Sequence, residues 1–239
     1  MCTISLVPHP DSFSGFILTS NRDEVVSRKT KPPETRIFHK TKMYFPRDAQ
    51  AGGTWIGVSE NKRCVCLMNG AEKPHQRKSY YRKSRGLVVK DFLAAEKLKP
   101  LFEKYDLQDI EAFTMIIVEW QNGLVFYEFI WDENRKKITK LPLKEHIWSS
   151  SPLYNEQMKA QRQKWFQQWK ETKGLSSESL LEFHQKGGEG NKETDLIIDR
   201  GFLKTQSISQ VKNTSDGLKF WYKDLATSKV SEKYLQFNA

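Results

Sequence analysis

Three groups of residues in the first third of the chain have types and spacings that could do chemistry. The first is Cys2. Once Met1 is removed, which a small second residue normally permits, the thiol and a free α-amine belong to the same residue. An α-amine has a pKa near ~7.7–8, so part of it is unprotonated at neutral pH. It can then take the proton of its own thiol, directly or through a water, which makes nucleophile and base from one residue. A thiol with a pKa near ~8.5 needs only modest help to become a thiolate. A cysteine opening a buried strand also reads, more plainly, as a small hydrophobe.

The second group is Asn21-Arg22-Asp23-Glu24, which ends an apolar run. It reads as a solvated strand end or, through hairpin geometry, as the thiol's neighbour. If the first two strands pair antiparallel about a turn centred near residues 10–12, Cys2 falls opposite residues about 18–22. Arg22 would then lower a thiolate pKa or bind an anionic substrate group. Asp23 would hold the α-amine by a charge-assisted hydrogen bond. The third group is Gly52-Gly53-Thr54-Trp55 with Asn69-Gly70. Reflecting the local hairpin about Asn61 sets Asn69 opposite Gly53. A glycine pair lets a backbone approach a ligand closely, and an Asn amide there can donate to a developing oxyanion. The plainer alternative is a glycine-lined turn followed by a turn-forming Asn-Gly.

The elements that must position these groups follow from periodicity and punctuation. Residues 2–7 and 13–20 predict strands joined by a turn of Pro8, Pro10, Asp11 and Ser12. Residues 29–50, with Pro32-Pro33 and Pro46, read as polar and irregular. Residues 54–59 and 63–68 predict a second hairpin across 60–62. Apolar spacing predicts a helix over 84–104 with Ser84 as its cap. Strands are predicted at 113–120, 124–131 and 145–149, with Asn122-Gly123 turning between the first two. Helices over about 154–171 and 176–185, a flexible glycine-rich loop at 186–193 and strands near 204–211 and 217–224 complete the chain. Hairpins alternating with helices predict one α+β domain over residues 1–239, with antiparallel sheets and helices packed outside.

Composition bounds the classes. With 239 residues, 38% apolar and 12% aromatic, the chain can bury a core. No apolar run reaches the roughly 18 residues that span a bilayer, and no secretory signal pattern opens it. Three cysteines, with Cys64 and Cys66 on one face of one strand, suit a reducing compartment, the cytoplasm. The formal charge of +10 favours anionic partners, although scattered lysines serve solubility equally well. The five histidines show no metal-site spacing, so no metal is expected. Arg77, Lys78, Arg82, Lys83 and Arg85, interleaved with Tyr80 and Tyr81, could cradle phosphates; no nucleic-acid motif accompanies them. Trp165 and Trp169, four apart on the long helix, read as core.

Together, Cys2, the "TSNRDE" segment at 19–24 with Arg28, "AGGTWIGVS" at 51–59, "CLMNG" at 66–70 and "SRGLVVKDFL" at 84–93 resemble the NRDE family, that of the transport and Golgi organisation protein 2. The match is good over roughly the first 95 residues. The resemblance implies the N-terminal-nucleophile hydrolase fold, a four-layer αββα sandwich of antiparallel sheets. The run from Gly57 to Asn69 is also similar to the oxyanion segment of bile salt hydrolase and penicillin V acylase relatives. Those acylases carry an Arg three residues before the Asp, where this chain has Ser20. They also carry an Asn in a Thr-Asn-Ser-Pro-like segment where this chain has Ser150. A serine hydroxyl donates one bond and is shorter than an amide.

The resemblance implies a catalytic set of Cys2, Asn21, Arg22, Asp23 and Asn69, with Glu24, Arg28, Gly53, Thr54, Trp55 and Ser150 on the substrate side. The expected activity is cleavage of a non-peptide C–N bond in a small molecule through an acyl-enzyme on Cys2, with no cofactor. The alternative is a carrier of the same fold that binds haem or acyl-CoA. Intact Cys2, Asp23 and Asn69 favour the enzyme; Ser150 and the basic stretch favour the carrier.

Overall fold

In a computed structural model, residues 2–9 and 12–237 are described, Cys2 by its backbone alone. The Cys2 thiol, Met1 and the Pro10-Asp11 part of the first predicted turn lie outside that description. Two compact units divide the chain. One joins the N-terminal stretch up to Arg28 with Leu143–Gln236, and the other is built on Lys29–Pro142.

The first unit has a six-stranded antiparallel sheet. Its strands are β1 (Cys2–Pro8), β2 (Phe16–Val25), β10 (His146–Ser149), β11 (Leu203–Thr214), β12 (Gly217–Asp224) and β13 (Val230–Leu235), in the order β10-β1-β2-β11-β12-β13. Helices α3 (Glu156–Lys173) and α4 (Ser177–Lys186) cover one face. Val7 and Ile17 from the sheet meet Trp165, Phe166, Leu180 and Phe183 from the helices. Each helix starts on a side-chain cap: Asn155 accepts from the Met158 N–H and Ser176 from the Ser179 N–H. Gly174, at φ +69, ends α3 in a conformation that suits glycine. The 186–193 loop, expected to be flexible, is tied at its centre. Asp195 accepts from the Glu189 and Gly190 N–H groups, and Trp165 donates to Glu189.

Polar groups dock α4 on the sheet. Asn21 donates both amide protons, to the carbonyls of His184 (3.0 Å) and Leu196 (2.7 Å). Its Oδ1 must therefore accept, and it lies 2.8 Å from His184 Nδ1. That contact makes Nδ1 the protonated nitrogen, so Nε2 accepts from the Ser5 hydroxyl at 2.8 Å. Gln210 bridges Thr19 and the first residue of α4, Ser177.

The second unit is a seven-stranded meander: β3 (Thr30–Phe38), β4 (Thr41–Asp48), β5 (Ile56–Ser59), β6 (Arg63–Asn69), β7 (Phe113–Glu119), β8 (Val125–Trp131) and β9 (Lys136–Leu141), in chain order. Val65, Leu67, Phe113, Met115 and Phe129 pack against Val88, Val89 and Phe92 of α1 (Arg85–Ala94). A second short helix, α2 (Leu98–Lys104), follows. The structure corrects the sequence reading here. Residues 29–50 form the β3–β4 hairpin, with Pro32-Pro33 taken up in a bulge between Lys31 and Glu34. The predicted 84–104 helix is two helices: Pro100 lacks the N–H that a continuous ladder would need, and the carbonyls at the end of the first helix are taken from outside. Fully buried Arg63 donates to the carbonyls of Phe92 and Ala95, and the Asn61 amide donates to those of Ala94 and Ala95. Ser84 has the extended conformation of a cap but makes no capping bond.

Burial, assisted by the Arg162 charge, pushes His184 down to about 3 from 6.5. Between those values the unfolded chain binds a proton that the folded chain refuses. Its contribution is complete above pH 6.5 and is lost as the pH falls toward 3, by at most about 1.4 kcal/mol per unit. We expect urea unfolding to show this slope below pH 6.5 in wild type, and His184→Gln to flatten it whatever its effect on stability at pH 7.5.

Candidate functional site

The first hairpin sets the register of the site. Cys2 is the Cα partner of Arg22, and Thr3 is the partner of both Asn21 and Ser149. The hairpin geometry therefore brings Cys2 and the charged segment side by side, within the range read from the sequence. Alternation along β2 then separates the segment into two faces. Asn21 and Asp23 lie on the helix side, while Ser20, Arg22 and Glu24 lie on the other.

Asp23 has no exposed surface, and both its oxygens are answered. The Tyr154 hydroxyl donates to Oδ2 at 2.6 Å and the Thr205 hydroxyl to Oδ1 at 2.7 Å. Thr205 reaches it because of a bulge in β11: Thr205 pairs with Asp23 and Ser207 with Arg22, so Gln206 is the additional residue. The bulge puts Thr205 on the helix face and Ser207 on the opposite face. Tyr154 is placed by the turn after β10, in which its N–H donates to the Ser150 carbonyl. Arg162, buried in α3, stacks 3.5 Å from the centre of the Tyr154 ring. It donates to Thr3 Oγ1 at 2.5 Å and to the carbonyls of Thr194 and Asp195. Burial pushes the Asp23 carboxyl up, against the pull of the Tyr154 bond and the Arg162 charge. Burial, with the Asp23 charge, raises the Tyr154 hydroxyl well above its ordinary range, so it stays a donor. Each Asp23 oxygen still has a lone pair for a further donor.

The other expected residues of this unit sit around that carboxylate. Asn21 spends its amide on α4 and the 187–196 segment, so it fixes the depth of β2 under the helix. Glu24 accepts from the Val25 N–H and lies 3.8 Å from Arg22 and 3.6 Å from Arg28. Burial pulls its carboxyl up, but that N–H and the two arginines hold it below the usual carboxylate range. Ser150 is buried and its hydroxyl makes no hydrogen bond. It is one residue beyond the Thr3–Ser149 pair, in line with Cys2.

The second unit carries the remaining expected residues. The hairpin centre is at Asn61 as read, with Ile56 paired to Cys66, but strand pairing stops at Ile56 before the glycines. Gly53 does allow a close backbone approach, and the backbone that approaches is Gly86 at the start of α1: a Cβ on Gly53 would meet it at 2.5 to 2.9 Å. The Thr54 hydroxyl donates to the Ile56 carbonyl, and buried Trp55 accepts at its carbonyl from the Leu67 N–H. Asn69 is half-buried at the end of β6, paired with Phe113, on the face that carries Leu67. The basic stretch is paired with acids: Arg77 and Arg85 with Glu111, Lys78 with Glu133, Arg82 with Asp106, Lys83 with Asp91. Five cations thus share four acids, with Glu111 common to two of them. Cys64 and Cys66 are buried, neither in a disulfide, and burial pushes the Cys64 thiol far up. Among the described residues, no cluster of three His, Cys, Asp or Glu could hold a metal ion, and no helix is long and apolar enough to cross a membrane.

Sequence reasoning missed Tyr154, Thr205, Arg162 and His184. One signal was available: Arg162 falls on the stripe of Trp165, Phe166 and Trp169, where a cation needs a buried partner.

Two variants test this arrangement. Tyr154→Phe leaves a carboxylate oxygen short of a donor and should lower stability by about 1–3 kcal/mol. Removing a donor raises the folded-state pKa of Asp23 further, so the loss should be largest at pH 7.5 and shrink toward pH 4, as read by denaturant titration. Gly53→Ala should cost about 1–3 kcal/mol by overpacking against Gly86. Any loss of function should then follow the loss of Tm alone.

The profile of the family described as Transport and Golgi organisation 2 matches residues 1–224. No curated protein matches the sequence. Among solved structures, a variant of conjugated bile acid hydrolase from Clostridium perfringens is similar at TM-score 0.62 and 8% identity, covering 100% of this chain and 94% of that one. The N-acylethanolamine-hydrolyzing acid amidase ortholog of Caenorhabditis elegans is similar at 0.57 and 13%, covering 87% and 92%. Penicillin V acylase from Agrobacterium tumefaciens is similar at 0.55 and 9%, covering 98% and 86%. At such identities the likeness shows the fold: α+β, with antiparallel sheets and helices, as in N-terminal-nucleophile hydrolases.

Proposed function

We propose that this chain, which belongs to the Transport and Golgi organisation 2 family, is an amidohydrolase that cleaves a non-peptide C–N bond through Cys2. The observation that carries this reading is the register: the Cys2 backbone lies opposite Arg22, one residue from a buried carboxylate that keeps lone pairs to spare. The three similar structures are named as a hydrolase, an acylase and an amidase, which supports the same class of reaction.

On this reading the α-amine of Cys2 takes the thiol proton and Asp23 orients that amine. The sulfur attacks the amide carbon, forming a C–S bond, and the C–N bond breaks as the α-ammonium gives its proton to the leaving amine. A water then loses a proton to the α-amine and attacks the thioester. The C–S bond breaks, sulfur recovers the proton, and a carboxylic acid leaves. Tyr154, Thr205 and Arg162 are positioning residues for Asp23.

One observation favours a second reading, a haem or acyl-thioester carrier: Ser150 stands where the acylases have an Asn, and a hydroxyl is a poorer fixed donor.

Cys2→Ser separates the two. The enzyme loses turnover of an amide such as an N-acyl amino acid by at least a hundredfold while still binding it. A carrier binds haem or acyl-CoA within a few-fold of wild type and shows no turnover in either form. Iodoacetamide at pH 7 should label Cys2 well before the buried Cys64 and Cys66, and intact mass of active protein should show Met1 absent. Equal labelling of the three, or active protein that retains Met1, counts against the mechanism.

A further inference from the structure

The β3 edge of the second unit gathers cations from β3, β4 and α1. Met43 and Phe45 of β4 pack into the core with α1, so Thr41 and Arg47, at alternate positions of the same strand, share that face. The register carries the face across to β3: Phe38 lies opposite Thr41, Arg36 opposite Met43, Glu34 opposite Phe45 and Lys31 opposite Arg47. Lys90 of α1 sits over the Phe38 ring, its ammonium 4.2 Å from the ring centre. Partial burial and the like charges of Arg36, Arg47 and Lys83 hold that ammonium below the usual lysine range, against the pull of Asp91.

The acids of this face are already taken. Arg36 pairs with Glu34, and Lys83 and Tyr105 both donate to Asp91. Asp48, next to Arg47, lies on the opposite face by strand alternation and accepts from the Gln50 and Ala51 N–H groups. Among the described residues, Lys31 and Arg47 have no carboxylate partner. The Arg47 Nε is buried and makes no hydrogen bond, while the half-buried side chain keeps its outer end at the surface. Like charges directly opposite on a ladder repel, and Lys90 adds a third. Cations set around one guanidinium fork suit a compact group with several negative charges and many acceptor oxygens. A single carboxylate would leave most of that charge unanswered. We propose that this face binds a terminal diphosphate group, with the Arg47 fork and the Lys90 ammonium on its oxygens and Lys31 beside them. The site lies wholly in the second unit and takes no part in the cysteine reading.

Isothermal titration of the full chain, without magnesium, tests the site with inorganic diphosphate, ADP and isopentenyl diphosphate, and with acetate as the control. Wild type should bind all three diphosphates saturably and acetate not at all; an ester that binds tighter than inorganic diphosphate identifies what carries the group. Arg47→Met should weaken inorganic diphosphate at least about tenfold, and Lys90→Met at least about threefold. The ligand-free Tm of Arg47→Met should equal or exceed that of wild type, because no internal bond is lost and a repulsion is relieved. Arg82→Met removes a cation already paired with Asp106 and should bind within about twofold of wild type. Cys2→Ser should do the same, so a failure of the cysteine mechanism leaves this result standing. The proposal is overturned if inorganic diphosphate does not bind, or if Arg47→Met binds it as wild type does. It is overturned equally if Arg82→Met weakens binding as much as Arg47→Met, which would mean attraction to net charge alone. A fall of several degrees in the Tm of Arg47→Met overturns it too, since the guanidinium would then be bonded inside the protein.

Discussion

A carboxylate with no access to water has to be answered from all sides, and at Asp23 the answers come from three distant parts of the chain. Tyr154 arrives from the turn after β10, Thr205 from the bulged strand β11, and Arg162 reinforces Tyr154 from α3. Leaving such a charge unmatched would cost several kcal/mol. The positions of β2, β11 and α3 are therefore coupled through one side chain. The same strand holds Asn21, whose amide secures α4. Two residues of one tetrapeptide thus dock both helices of the first unit, and the residue between them, Arg22, is left to face the other way.

That alternation explains why the tetrapeptide is hard to interpret as linear text. Four polar residues in a row look like a solvated end, yet all four are buried. The burial of Asn21 and Asp23 depends on partners 131 to 182 positions away, beyond the reach of any local pattern. Hairpin arithmetic, by contrast, needed only two strands and a turn, and it put Cys2 opposite Arg22. At Gly53 the glycine pair signals the physical requirement, a close backbone approach, but carries no mark of which backbone approaches. Helix ends at Asn155 and Ser176 lay within a few residues of expectation because their caps are local.

Three of the four strands that escaped sequence reading share a position. β3, β9 and β13 are all sheet edges. Edge strands are blunted with charge and proline, which erases the apolar alternation that marks a strand. Lys136-Lys137 in β9 and Pro32-Pro33 in β3 are such features, and β4 was lost along with its proline-bearing partner. The broken helix is a different case. Pro100 within 84–104 lacks the N–H that an unbroken helix would need there, and Arg63 and Asn61 reinforce the break from the neighbouring hairpin by claiming carbonyls that helical continuation would use.

The chain order of the first unit also bears on synthesis. Its sheet is split by the whole of the second unit, and its central pairing joins β2 to β11 across 182 positions. The second unit is a sequential meander whose neighbours meet as they emerge, whereas long-range closure is slow and waits for both ends. On a ribosome β2 therefore emerges well before the strand that completes its second edge. Until β11 has emerged, β1 and β2 present a hairpin with an open edge and an unanswered aspartate. Any processing of the N-terminus has that interval in which to act on an accessible chain. A truncation before Leu203 would leave that edge of β2 open for good.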